Sequence, residues 1–360
     1  MPSTLARGDL ALIVPTVRGG HRDLQYLVRV QEQSTFRSRR GRLLRLGAAF
    51  VVLLAVAGYL AVQYVTGGAG GPGCRVVSAG DDGAAFEFTP EQAVNAAAIT
   101  AVGTARDLPE RAVTIALATA LQESGLRNIR HGDRDSLGLF QQRPSQGWGT
   151  PKEIMDPAYA AGRFYDHLVK VRNYTELPLT VAAQRVQRSG FPQAYAKHET
   201  DATLLAAALT GRAAATLTCD GRPDTTGTAG PDAVRAAVVR DFGRDMLQPA
   251  GAEASKAAAG TPSPSASATG ASGGRTVTLP VTGGTDSATA PSLRRHGWQL
   301  AHWAVANASA LHIQRVTYAG REWTAGSTDS QWRPVASDGA RGAQADAGSA
   351  ADSVRILTAQ

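Results

Sequence analysis

Cysteine is almost absent. The 360 residues contain two, Cys74 and Cys219, and neither has neighbours at zinc-ligand spacing. His302 and His312 likewise lack partners at metal spacing, so no metal site and no cofactor is expected. The segment Met1–Arg45 has no lysine. Its nine arginines face three acids, Asp9, Asp23 and Glu32, so +6 of the formal net charge of +7 resides there. The remainder is near neutral, and nothing in the tail resembles a nucleic-acid-binding fold. Nucleic acid is therefore not an expected partner, despite the basic composition. From Gln248 to Ala290 large apolar side chains are nearly missing among Ala, Gly, Ser, Thr and Pro, which excludes a packed core and reads as a disordered linker.

Charge is also missing from Leu46 to Gly73. The run Leu46–Val65, LGAAFVVLLAVAGYLAVQYV, has Gln63 as its one strongly polar residue and is long enough to cross a bilayer. Arg37, Arg39, Arg40, Arg42 and Arg45 precede it, positioned to meet anionic headgroups. The positive-inside rule then places residues 1–45 in the cytoplasm and everything from Thr66 onward outside. The alternative, a cleaved signal peptide, fits poorly with a forty-five-residue lead. An oxidising exterior and an even cysteine count favour a Cys74–Cys219 disulfide over two free thiols, closing a loop worth up to roughly 5 kcal/mol of chain entropy.

Helix signals recur after Phe88. Thr89-Pro90-Glu91 is a cap, a first-turn proline and a first-turn acid, predicting a helix to about Asp107. Leu108-Pro109-Glu110 starts a second helix, ending where Ser124-Gly125 allows a left-handed cap. Asp156-Pro157 opens another, with Tyr159, Phe164, Tyr165 and Leu168 as a core stripe. Leu179–Arg188, Ala194–Leu209, Pro231–Leu247 and Leu293–Leu311 complete the helical pattern. Ile313–Thr324 reads as two strands about an Ala319-Gly320 turn, and Ser353–Thr358 as a last strand. Leu279–Gly283 spells LPVTG, a sortase signal, but lacks the following apolar span and basic end, so it is either chance or a short extended segment.

The stretch Ile115–Gln142, IALATALQESGLRNIRHGDRDSLGLFQQ, concentrates the chemistry. It begins as an apolar helix and carries Glu123 in its last turn. A carboxylate among apolar residues beside the negative end of a helix is costly to ionise, and a protonated carboxyl group is what glycoside cleavage needs as general acid. ALQESGLRN followed by DSLGLFQQRPSQGWGT resembles the goose-type lysozyme and lytic transglycosylase superfamily, over roughly Phe88–Cys219. More narrowly, the chain is similar to actinobacterial membrane-anchored proteins carrying such a domain. The resemblance implies Glu123 as catalytic acid and Ser136, Gly138, Leu139 and Gln141 as the loop shaping a sugar cleft. Gln142 and Trp148 extend that candidate substrate-binding set; Trp148 either stacks on a sugar face or plugs its loop against the core. The superfamily's late Ala-Tyr-Asn segment would correspond to AAQRVQRSGFPQAY, where the Tyr-Asn pair is absent and Gln184 and Gln187 offer amides instead.

The fold class expected on this basis is mainly α. A lysozyme-like helical domain follows a single transmembrane helix and precedes a small C-terminal α+β module. The segments are a basic tail (1–45), the span (46–65), a spacer (66–87), the lysozyme-like domain (88–220), an additional helix (221–248), the linker (249–290) and the module (291–360). The expected partners are peptidoglycan glycan strands and, through 46–65, the lipid bilayer. Two outcomes of cleavage stay open. A second carboxylate, Asp135 or Asp133, would direct water and release a reducing sugar. Attack by the neighbouring muramic hydroxyl would leave an anhydro sugar and needs one carboxylate only. Ser124 is expected to brace the helix end, since no Ser-His-acid arrangement surrounds it. A domain that binds glycan without cutting it, as an anchor or scaffold, is the alternative function.

Overall fold

A computed structural model describes residues 73–80, 82–191, 193–221, 230–244, 275–281, 290–326, 331–335 and 353–359. The tail 1–45, the stretch 46–65 and most of 249–290 lie outside them. Among the described residues no helix is long and apolar enough to cross a membrane.

Strands β1 (Cys74–Val77) and β2 (Ala85–Phe88) lead into α1 (Pro90–Thr104). Thr89 caps α1 by accepting from the Gln92 N–H while the Gln92 side chain accepts from the Thr89 N–H, and Pro90 occupies a position where no amide donor is needed. The next helix, α2 (Glu110–Ser124), is buried without a break from Ala112 to Leu121. A helix with no solvent face must be the axis of a core. Its hydroxyls are satisfied internally: Thr114 and Thr119 donate to the carbonyls of Glu110 and Ile115. Short α3 (Pro151–Ile154), α4 (Pro157–Leu168), α5 (Leu179–Gln187) and α6 (Glu199–Leu209) pack around it, with a 3-10 turn over Ala194–His198 before α6. Asp156 caps α4 by accepting from the amides of Ala158 and Tyr159.

Strand β3 (Leu217–Cys219) then returns to β1, giving an antiparallel sheet of order β2-β1-β3. Cys74 faces Cys219 in register, and the two form the expected disulfide. After α7 (Pro231–Phe242) come β4 (Thr276–Pro280), α8 (Ala290–Ala306), β5 (Ile313–Tyr318), β6 (Arg321–Thr324), β7 (Arg333–Pro334) and β8 (Ser353–Thr358). These five strands form a second antiparallel sheet, in the order β4-β8-β5-β6-β7.

This corrects the expected fold class. The described residues are not a mainly α, lysozyme-like domain with a separate small module. They hold eight helices and two antiparallel sheets around one continuous hydrophobic interior. The spacer 66–87 contains β1 and β2, and the linker 249–290 contains β4. Leu279 and Pro280 of the LPVTG segment are paired with Val354 and Ser353 of β8, with Leu279 buried, so the segment is a structural strand at this point. Helix α8 does not serve the second sheet alone. Its Gln299 bonds Thr104 of α1, its His302 Nδ1 donates to the Ala208 carbonyl of α6 at 2.7 Å, and its Trp303 indole donates to Asp241 of α7 at 2.8 Å. Trp323 and Trp332 donate to the Cys219 and Leu217 carbonyls of β3 at 3.1 and 2.9 Å. Trp298, Leu300, Trp303 and Ala304 give α8 more apolar surface than one sheet face covers, and the excess is buried against the N-terminal helices.

Candidate active site

Glu123 is placed by the way α2 ends. Gly125 takes the left-handed conformation (φ 64°), and the amides of Gly125 and Leu126 return to the carbonyls of Leu121 and Ala120. That is the glycine-capped end the sequence predicts. Two amides from α1 hold it from outside: Gln92 donates to the Gly125 carbonyl and Asn95 to the Leu126 carbonyl, both at 2.8 Å. The last turn therefore has little freedom, and Glu123 projects half-buried from it.

The segment after the turn forms a tight bridge. Leu137 and Gln142 exchange backbone hydrogen bonds of 2.9 and 3.0 Å, Gly138 (φ 75°) donates to the Ile129 carbonyl, and Gln141 adopts φ 47°. A β-carbon on Gly138 would meet the Ile154 carbonyl at 2.8 Å, so both its space and its conformation require glycine. Ser124 Oγ donates to the Leu139 carbonyl at 2.8 Å, tying the end of α2 to this bridge. From the other side Gln187 of α5 donates to the Phe140 carbonyl at 2.8 Å. The Gln142 side chain, buried, donates to the Ala160 carbonyl of α4 at 3.0 Å.

Tyr195, in the 3-10 turn, completes the arrangement. Its ring is buried, and its hydroxyl donates to Glu123 Oε1 at 2.6 Å. Burial first, and the Glu123 bond and charge second, push the Tyr195 phenol above its ordinary range; a hydroxyl contact from Ser189 opposes this. The phenol is a permanent donor to Oε1. Among the described residues no cation is paired with Glu123.

The sequence-expected site residues separate into groups. Glu123, Ser136, Gly138, Leu139, Gln141 and Gln142 are brought together at the end of α2, but Ser136, Gly138, Leu139 and Gln142 are buried and build the bridge rather than face outward. Gln141 stays half-exposed. Asp135 is committed elsewhere: Arg143 Nε donates to Oδ1 and the Ser145 amide to Oδ2, both at 2.8 Å. The Arg143 contact first, and the Ser145 bonds after it, hold its carboxyl far below the usual range. Asp133 is exposed, its carbonyl accepting from the Ser136 amide. Trp148 stacks on His167 with ring centroids 4.3 Å apart and packs on the core, as a plug for its loop. Gln184 donates to the Ser189 carbonyl at 2.7 Å, bracing the chain before Tyr195.

Tyr195 is the residue that sequence reasoning missed. The expected helix over 194–209 is instead a 3-10 turn, Ala194–His198, followed by α6, and the turn is what brings Tyr195 to Glu123. Cavities occur elsewhere: one of about 590 Å³ is bordered by Arg75, Glu87, Gln92 and Asp220, beside the disulfide. One of about 300 Å³ lies at the bulge of β5, beside Gly221 and Arg315. Glu123 lines neither.

The site thus holds one carboxyl group at a glycine-capped helix end, hydrogen-bonded by a buried phenol. A family model described as VldE, C-terminal domain, matches residues 251–346. That range includes β4, α8 and β5 to β7 but neither Glu123 nor Tyr195. No curated protein matches the chain.

Proposed function

We propose that this chain cleaves peptidoglycan glycan strands as a membrane-anchored lytic transglycosylase, with Glu123 as general acid and then base. The observation that carries this reading is the 2.6 Å hydrogen bond from Tyr195 to Glu123 Oε1. It fixes the carboxyl plane and reserves Oε1 as acceptor, so the transferable proton belongs on Oε2. Glu123 gives that proton to the glycosidic oxygen as the C–O bond breaks, and the sugar gains oxocarbenium character. The carboxylate left behind accepts a proton from the muramic hydroxyl as that oxygen bonds to the anomeric carbon. The products are a shortened strand and an anhydro end, and Glu123 is protonated again.

The commitment of Asp135 to Arg143 and Ser145 supports this outcome over hydrolysis, because it removes one of the two candidates for directing water. The resemblance of ALQESGLRN and SLGLFQQ to the superfamily motifs supports glycan as the substrate. The apolar run 46–65 behind its arginines supports an anchor that holds the domain outside the cell.

The test is release of dye from labelled sacculi by the full chain, followed by product masses. Anhydro products, one water lighter than reducing ends, are expected, and Glu123→Gln is expected to lower release by at least about a hundred-fold while sacculus binding persists. Binding without products from the unmodified chain would assign the other reading, a glycan-holding scaffold.

A further inference from the structure

Phe191 is the most exposed large apolar side chain among the described residues, at 77%; the others exposed are valines at 36 to 49%. Every other described phenylalanine is buried or half-buried. A lone exposed apolar residue is ordinary by itself, and what distinguishes this one is where it is held. Phe191 is on a braced loop joined to Glu123. Arg188 ends α5 in the left-handed conformation, and Gln184 donates to the Ser189 carbonyl at 2.7 Å. The Phe191 amide donates to Ser189 Oγ at 3.1 Å, and the Ala194 amide donates to the Phe191 carbonyl at 3.1 Å. Ala194 directly precedes Tyr195, whose phenol donates to Glu123 at 2.6 Å. Hydrogen bonds thus tie the backbone of Phe191 to the residue that precedes Tyr195, and Tyr195 to the carboxyl oxygen.

We infer that Phe191 is a sugar-stacking platform that seats a pyranose ring of the glycan strand beside Glu123, with Ser189 setting its position. This rests on the proposed glycan substrate and names the residue that would hold it. One face of a pyranose presents C–H groups, and an aromatic face is electron-rich, so the two stack without hydrogen bonds. A platform pre-placed by backbone bonds loses little freedom when it binds. The ring contributes contact area in both ground and transition states, so its loss is expected in KM rather than in kcat.

The experiment uses the full chain with purified uncrosslinked glycan strands, measuring strand binding and cleavage separately. Phe191→Ala is expected to weaken binding and raise KM about five- to thirty-fold with kcat nearly unchanged, and Phe191→Trp to restore both. Phe191→Leu, apolar but without a π face, is expected to behave like the alanine variant. Cleavage by the unmodified chain with all three variants unchanged overturns the platform and leaves the proposed reaction standing. Binding that depends on Phe191, without any cleavage, supports the platform and removes the reaction. Absence of both binding and cleavage overturns both. Rescue by Leu as full as by Trp overturns the stacking and leaves only apolar contact.

Discussion

Tyr195 donates to Glu123 across a separation of 72 positions, and the bond joins the end of the most buried helix to a 3-10 turn on the far side of the bridge. Neither partner is informative alone. A glutamate in the last turn of a helix is common, and a buried tyrosine is common. Together they fix one carboxyl oxygen, Oε1, as the acceptor of a buried donor.

Removing the phenol hydroxyl tests that relationship directly. Tyr195→Phe keeps the buried ring and deletes the donor. Turnover on sacculi is expected to fall about ten- to a hundred-fold with KM little changed, because the carboxyl group loses its orientation. Equal turnover would show that the bond does not position the acid.

The same pair can be read from the tyrosine side. Glu123 pushes the Tyr195 phenol upward both by accepting its proton and by charge. Glu123→Gln removes the charge, so alkaline ultraviolet titration is expected to show Tyr195 ionising at lower pH in the variant. The shift is partial, since burial is the larger cause and remains.

Asp135→Asn separates a bracing role from a catalytic one. The carboxyl group has a depressed folded-state pKa, so its contribution is complete above the unfolded value of about 3.9 and is lost only as pH falls below that. No change in its role is expected between pH 5 and 8. Activity of the variant is expected to stay within about three-fold of the original, against the hundred-fold loss a second catalytic carboxylate would bring.

His302 predicts acid sensitivity. It is fully buried, its Nδ1 donates to the Ala208 carbonyl, Nε2 has no partner among the described residues, and burial pushes its pKa down to about 4. The unfolded chain takes up this proton near pH 6.5, so stability is complete above that value and falls as pH drops toward 4. The loss is of order 3 kcal/mol, and His167, His198 and His296 are shifted in the same direction. Unfolding in denaturant at pH 7.5 and 4.5 is expected to differ, and to differ less in His302→Phe.

The disulfide predicts a large effect of reduction. Cys74 and Cys219 enclose 145 positions and join β1 to β3, against which Trp323 and Trp332 are hydrogen-bonded. Paired Cys74→Ser and Cys219→Ser substitution is expected to cost about 2–5 kcal/mol, read as a melting temperature lower by several degrees.

The helices were legible because their ends are written in residues with one physical meaning. Thr89-Pro90 and Asp156-Pro157 cap and start helices as expected, and Gly125 ends α2 where a left-handed residue is needed. The hairpin around Ala319-Gly320 and the strand Ser353–Thr358 were legible from alternation. Strands β1, β2 and β3 were not, since three or four residues give no readable period. Strand β4 was hidden among Ala, Gly, Ser and Thr, where composition argued against any core. The position of Glu123 in the last turn of a glycine-ended helix was legible from Ser124-Gly125. Tyr195 was not, because its partner lies far away in sequence and its own neighbourhood read as a plain helix.

Helix α8 and the second sheet share their interior with α1, α6, α7 and β3, and positions 245–274 separate the two contributing stretches of chain. Cutting within 245–274 should therefore yield complementary halves that stay together through their common core, whereas an excised Cys74–Cys219 piece would be left with Leu217 and the underside of α6 uncovered. Co-expression of the two halves should reconstitute what the shorter piece alone fails to form.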